Sequence, residues 1–217
     1  MHSVEPKIFI IGLPRTGTTS LCSYLLNLGY TVAHTAYTQS CFDKAQVIAD
    51  TPVFNDYALL DSYYPNSKFI YLTRDLSLWV PSIKKLLMRM YHNVVRTDGG
   101  FNPYIKRCYQ HTFSPLTMNN IQNTVFLHQC YRQHQQAIIR YFSHRPRDLI
   151  SLDVSANDSL KRLLSFLDIA TDKNLMQGFE HLNSSGKITA WNDIHHPFKI
   201  SSTNNGKITL IDYLMAS

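Results

Sequence analysis

The chain has 217 residues, 44% of them hydrophobic, with glycine and proline scattered and no acidic or basic block long enough to form a disordered tail, so a single domain over 1–217 is expected. The net charge of +6, with ten further histidines, favours anionic ligands, while the absence of RNP-type aromatics, a helix-turn-helix signal or zinc-finger spacing argues against nucleic acid. Cys22, Cys41, Cys108 and Cys130 lie far apart without a C-x-x-C pair, which excludes a zinc knuckle or a disulfide scaffold and predicts reduced thiols.

Residues 7–12 read as a buried strand that follows Met1 almost at once, which leaves no room for a signal peptide or membrane anchor and predicts a cytoplasmic protein with no membrane span. The strand runs into a glycine-bounded turn and a helix over 18–28 that ends at Gly29, with Leu21, Leu25 and Leu28 on one face. From Gly12 to Thr19 the glycines keep P-loop spacing, but Thr18 stands where a nucleotide triphosphatase has lysine. Without that lysine the β and γ phosphates lose their main charge clamp, so ATP or GTP hydrolysis is not expected. What remains is a nest of N–H groups, the hydroxyls of Thr16, Thr18, Thr19 and Ser20, and the planar cation of Arg15, a set suited to an oxyanion.

A strand over 31–34 ends on His34, and helical turns are expected over 40–48 and 56–64. The apolar run 68–73 reads as a parallel strand that delivers Arg74 at its carboxyl end, followed by a helix over 76–95 that carries Ser82. A loop over 96–120, with Tyr104, Lys106, Arg107, Tyr109, His111 and Phe113, is long for a structureless connection and reads as either a lid or a mobile surface loop. A helix over 121–142, a strand over 148–152 and a helix over 157–168 follow. His195 and His196 read as solvated loop residues, because adjacent side chains diverge. The extension from 170 to 217 closes with a small hairpin turning at Asn205-Gly206. Alternating strands and helices predict an α/β fold of three layers, a central parallel sheet flanked by helices.

The segment Pro14 to Thr19, PRTGTT, resembles the phosphosulfate-binding loop of the sulfotransferase superfamily, whose members carry P-[KR]-[ST]-G-T-T between a strand and a helix. The resemblance implies a P-loop fold related to nucleotide kinases, 3′-phosphoadenylyl sulfate (PAPS) as sulfuryl donor and 3′,5′-adenosine bisphosphate (PAP) as product. The acceptor is a hydroxyl or an amine. It implies that Pro14, Arg15, Thr16, Gly17, Thr18, Thr19 and Ser20 cradle the donor's phosphosulfate, with Arg15 neutralising the charge that develops there. Arg74 and Ser82, at the family's spacing, are implied to anchor the 3′-phosphate. Asp50-Thr51-Pro52 stands where cytosolic members have histidine-x-proline, so Asp50 is a candidate base, with His34 as its competitor. Gly186 to Trp191, GKITAW, is similar to the family's closing segment R-K-G-x-x-G-D-W, although Ser184, Ser185, Thr189 and Ala190 depart from it, and Lys187 is the replacement cation.

The strand near 150 and the helix LKRLLSFLDI also resemble family elements, with Asp168 replacing a glycine, so the likeness spans 7–191. No metal is required, because a sulfuryl group carries less charge than a γ-phosphate. By the superfamily's layout the 96–120 segment borders a pocket for a phenolic, lipid-like or carbohydrate acceptor. Two rival classes stay open: a non-catalytic adenosine-nucleotide-binding protein, and a small-molecule kinase with a degenerate P-loop.

Overall fold

The computed structural model describes residues 5–170 and 191–215. Five parallel strands, β1 (Ile8–Ile10), β2 (Val32–Ala33), β3 (Val47–Ala49), β4 (Lys68–Thr73) and β5 (Leu149–Asp153), lie in the order β2-β3-β1-β4-β5. In the central strand, Ile8 sits beside Val47 on one side and Lys68 on the other. Side chains alternate across the sheet. Phe9, Ile48, Phe69 and Tyr71 join one core, and Ile10, Val47, Ala49, Ile70 and Leu72 join the core on the opposite face. Both faces are apolar because both are covered, as a parallel sheet requires.

Helix α1 (Thr18–Asn27) and helix α8 (Ser159–Phe166) cover one face. Helices α3 (Val53–Tyr63) and α7 (Thr124–Tyr141) cover the other, together with α2 (Gln39–Lys44). A third core, built from Leu13, Phe54, Trp79, Ile83, Leu87, Ile121 and Leu127, joins α4 (Leu76–Val95), α5 (Pro103–Thr112) and α6 (Met118–Gln122) to the loop after β1. Asp75 starts α4 by accepting a hydrogen bond from the Ser77 N–H at 2.7 Å. Asp168 takes the left-handed backbone (φ 58°) that ends α8, the conformation in which a glycine is easiest. No helix among the described residues is long and apolar enough to cross a membrane.

Three segments differ from expectation. Residues 47–49 form β3 instead of continuing helical turns, since a three-residue apolar run has no readable period and its place between β1 and β2 decides its state. The segment 96–120 is largely helical. Asn102 caps α5 by accepting from the Ile105 N–H, with Pro103 in the first turn, and Thr117 caps α6 by accepting from the Asn120 N–H. The expected helix from 121 is divided at Asn123, whose side chain accepts from the N–H groups of Val125 and Phe126 and starts α7.

At the C-terminal end, Asn205 (φ 49°) and Gly206 (φ 80°) make the turn, closed by a bridge between Asn204 and Lys207. Beyond that bridge the arms bond elsewhere: the Ile200 N–H donates to the Val32 carbonyl, and the Thr209 N–H to that of Tyr37. The tail thus protects the β2 edge of the sheet.

Asp56, buried on α3, ties three elements together. It accepts from Arg107 of α5 through both oxygens (2.8 and 2.5 Å), from Tyr213 Oη at 2.7 Å and from Asn55 Nδ2 at 2.7 Å. Arg107→Ala leaves a buried carboxylate without its cation and should lower the unfolding free energy by about 2 kcal/mol, against about 1 kcal/mol for Tyr213→Phe, measured by urea denaturation.

His134 of α7 is buried against Phe54, Tyr57 and Tyr71, and its Nε2–H donates to the Phe54 carbonyl at 2.8 Å. Burial pushes its pKa from 6.5 down to about 4. The folded ring is neutral while the unfolded ring takes a proton, so stability falls as pH drops through that window. His134→Gln, which can donate without titrating, should show a shallower loss of urea midpoint over the same pH range.

Candidate functional site

The site forms beyond the carboxyl ends of the five strands. β1 stops at Ile10, and two residues on, Gly12 packs so closely on β4 that a Cβ there would lie 2.6 Å from the Leu72 Cβ and 2.7 Å from Thr16 Oγ1. The chain then curls through Arg15 (φ 75°) and Gly17 (φ 105°), left-handed residues on either side of Thr16. This alternation of hand turns backbone N–H groups toward a shared concavity. A Cβ on Gly17 would meet Val154 Cγ2 at 2.6 Å, so both backbone sign and space demand glycine. Gly17 opens α1 without a side-chain cap, which leaves the first-turn N–H groups of residues 18–20 facing outward from the helix end.

Neighbouring elements hold the curl. Thr16, buried, donates its hydroxyl to the Leu13 carbonyl at 2.7 Å, so that hydroxyl is spent inside the loop. Trp79 Nε1 of α4 donates to the Pro14 carbonyl at 3.0 Å, and Arg74 Nη1 donates to the Arg15 carbonyl at 2.9 Å. Tyr131 of α7 steadies Arg74 by accepting from its backbone N–H at 3.0 Å.

The loop opens on a cavity of about 410 Å³. Pro14, Arg15, Thr16, Gly17, Thr18, Thr19 and Ser20 all line it, as do His34, Asp50 and Arg74, so ten residues expected at the site from sequence surround one space. Ser82 is not among the residues that line it, and its partner is Arg15, whose Nε donates to Ser82 Oγ at 2.9 Å, instead of Arg74. Gly186 and Lys187 lie outside the described residues. Asp50 follows β3 in the left-handed region (φ 51°) and accepts from Thr51 Oγ1 at 3.1 Å. His34 Nε2 lies 3.1 Å from the hydroxyls of both Thr18 and Thr19.

The remaining walls escaped the sequence reading. Leu78, Leu86 and Met90 face the cavity from α4, at spacings that put them with Ser82 on one helical stripe. Val154 and Ser155 close it beyond β5, where Ser155 donates through its N–H (2.9 Å) and hydroxyl (2.6 Å) to Asp153 Oδ1. Of the 96–120 segment only Ile105 and Tyr109 reach the cavity. Its other expected contributors are engaged elsewhere: Arg107 on Asp56, Lys106 on the carbonyls of Arg96 and Gly99, Tyr104 on that of Thr209, and His111 on Asn55.

The electrostatics favour an anion. Burial, then the charges of Arg74 and Arg89, lower the Arg15 pKa, while Tyr109 and Asp50 oppose the shift. Among the described residues none of these three arginines forms an ion pair, so positive charge gathers around the loop without a local counter-charge in contact. Burial first, and Asp50 second, push the phenols of Tyr37 and Tyr109 upward, which keeps them protonated as hydrogen-bond donors.

A sequence profile described as the sulfotransferase domain matches residues 7–40 and 35–188. No curated protein matches the chain. Among solved structures, the chain is similar to the crystal structure of mouse sulfotransferase SULT7A1 complexed with PAP, at 13% identity and a TM-score of 0.46, over 97% of this chain and 78% of that one. With a profile match across most of its length, the chain belongs to the sulfotransferase domain family.

Proposed function

We propose that the protein is a sulfotransferase that uses PAPS as donor and a small molecule with a hydroxyl or amine as acceptor. The observation that carries this is the curled loop of residues 12–17: an N–H concavity at a helix N-terminus, flanked by Arg15 and Arg74 and lacking the P-loop lysine. The donor set fits a phosphosulfate, whose oxygens take N–H and hydroxyl donors and a guanidinium fork. PAPS supplies an activated sulfuryl group that passes in line to the acceptor, with PAP as leaving group.

In this mechanism Arg15 and the N–H groups of residues 17–19 neutralise the oxygen charge that grows as the leaving bond breaks. Arg74 binds the remote phosphate. Ser82 joins it there by exchanging its Arg15 contact for a phosphate oxygen. Asp50 accepts the acceptor's proton, since its carboxylate faces the cavity beside Thr51. Tyr37 and Tyr109, held neutral, donate hydrogen bonds that orient the acceptor. The apolar wall of Leu86, Met90 and Ile105 favours a phenolic or lipid-like body over a carbohydrate. We propose a cytoplasmic location, supported by the four buried free cysteines.

Thermal unfolding in the presence of PAP tests the donor site: saturating ligand at about a hundred times its dissociation constant adds about 2.7 kcal/mol, and ATP with magnesium should add much less. An equal or larger shift with ATP would favour a kinase. Arg15→Ala should lower turnover about a hundredfold or more in an acceptor screen with labelled donor. Asp50→Asn should still bind PAP while losing at least about a hundredfold in transfer. Normal transfer by Asp50→Asn would remove Asp50 from the role of base.

A further inference from the structure

His34 follows β2, and its Nε2 is shared between the hydroxyls of Thr18 and Thr19 at 3.1 Å each. Both hydroxyls belong to the first turn of α1 and line the cavity. A hydroxyl has one proton to give. If Nε2 carries no proton, the threonines donate to the ring and turn lone pairs toward the cavity, where they repel an oxyanion. If Nε2 is protonated, the ring donates to the threonine oxygens and frees both hydroxyl protons for a phosphate. We propose that His34, whose neutral form carries its proton on Nδ1, is a positioning residue that sets the direction of the Thr18 and Thr19 hydrogen bonds and thereby couples phosphate binding to the protonation of Nε2. This rests on the assignment of the cavity as the donor site.

The ring is held in this pose. Trp191 stacks on it with centroids 5.2 Å apart and planes at 28°. Lys199 Nζ lies 5.0 Å from the centre of the Trp191 ring and donates to the carbonyls of Trp191 (2.6 Å) and Ile194 (2.8 Å). Among the described residues, the groups that face His34 are the neutral Thr18 and Thr19 from α1, Asp50 from the end of β3, and Trp191 with Lys199 from the 191–199 segment. Burial is the largest influence and lowers the His34 pKa from 6.5; Asp50 raises it and Lys199 lowers it again. The free protein therefore holds a neutral ring at neutral pH. A phosphate against the two hydroxyls raises the pKa, so binding takes up protons and strengthens as pH falls from the bound toward the free ionisation. With Nε2 engaged on the donor loop, the acceptor's proton is left to Asp50.

Calorimetric titration of PAP into wild type, His34→Gln and His34→Ala, between about pH 5.5 and about 8, tests this. The phosphates of PAP titrate equally in every sample, so the comparison of variants isolates the histidine. Wild type should gain affinity on acidification more steeply than His34→Gln, whose amide donates without titrating. His34→Ala should likewise lose the pH dependence of wild type, because a threonine hydroxyl with no ring beside it can donate to the phosphate at every pH. Coincident pH slopes for wild type and His34→Gln would overturn the proposal, as would a wild-type slope in a folded His34→Ala. If His34→Ala does not fold, the slopes of wild type and His34→Gln decide alone. Failure of wild type to bind PAP at any pH would instead overturn the donor-site assignment, and this proposal with it.

Discussion

A left-handed curl in the chain between Gly12 and Gly17 is the constraint on which the site depends. Arg15 adopts positive φ although it has a side chain, at a cost of about 1–2 kcal/mol that the surroundings must offset. Three hydrogen bonds from three places supply that: Thr16 from within the loop, Trp79 from α4 and Arg74 from the end of β4. The loop is therefore preorganised by the third core, where Leu13 packs beside Trp79. Loss of the Trp79 anchor would relax the concavity without removing a group that lines the cavity.

Strand order explains why so few residues suffice. With β1 central, the ends of β3, β4 and β5 fall around the loop, and the crevice lies at the carboxyl ends of the strands, as in open α/β sheets generally. That single edge brings together Asp50, Arg74 and the Val154–Ser155 wall from distant parts of the sequence. It also crowds like charges. Arg15 is disfavoured as a cation by burial and by Arg74 and Arg89, a tension that an anionic ligand relieves. Positive charge that Tyr109 and Asp50 only partly oppose at Arg15 is a cost to the empty fold and a source of affinity to the occupied one.

Legibility from sequence followed the length of each signal. Residues 76–95 were readable to both ends because twenty residues carry a clear amphipathic stripe and Asp75 caps them. β4 was readable as a six-residue apolar run. β3, at three residues, was not, since burial between two neighbours outweighs any local preference. The α5 segment looked like a loop because its composition is polar and aromatic. Its charges turn inward to Asp56 and to backbone carbonyls, a fact that belongs to tertiary packing, although Asn102-Pro103 was a legible helix start. At the site, the glycine spacing, Arg74 and Asp50 were legible through motif and strand end. The Ser82 contact with Arg15 and the walls from Leu86 and Val154 were not, because side-chain partners across 67 residues leave no local trace.

A crystal structure of the protein with PAP bound examines the donor cradle most directly. The 5′-phosphate oxygens should lie within hydrogen-bonding distance of the N–H groups of residues 17–19, and the 3′-phosphate should meet the guanidinium of Arg74. A bisphosphate found elsewhere, with the curl vacant and Arg74 still turned only to the Arg15 carbonyl, would contradict the assignment.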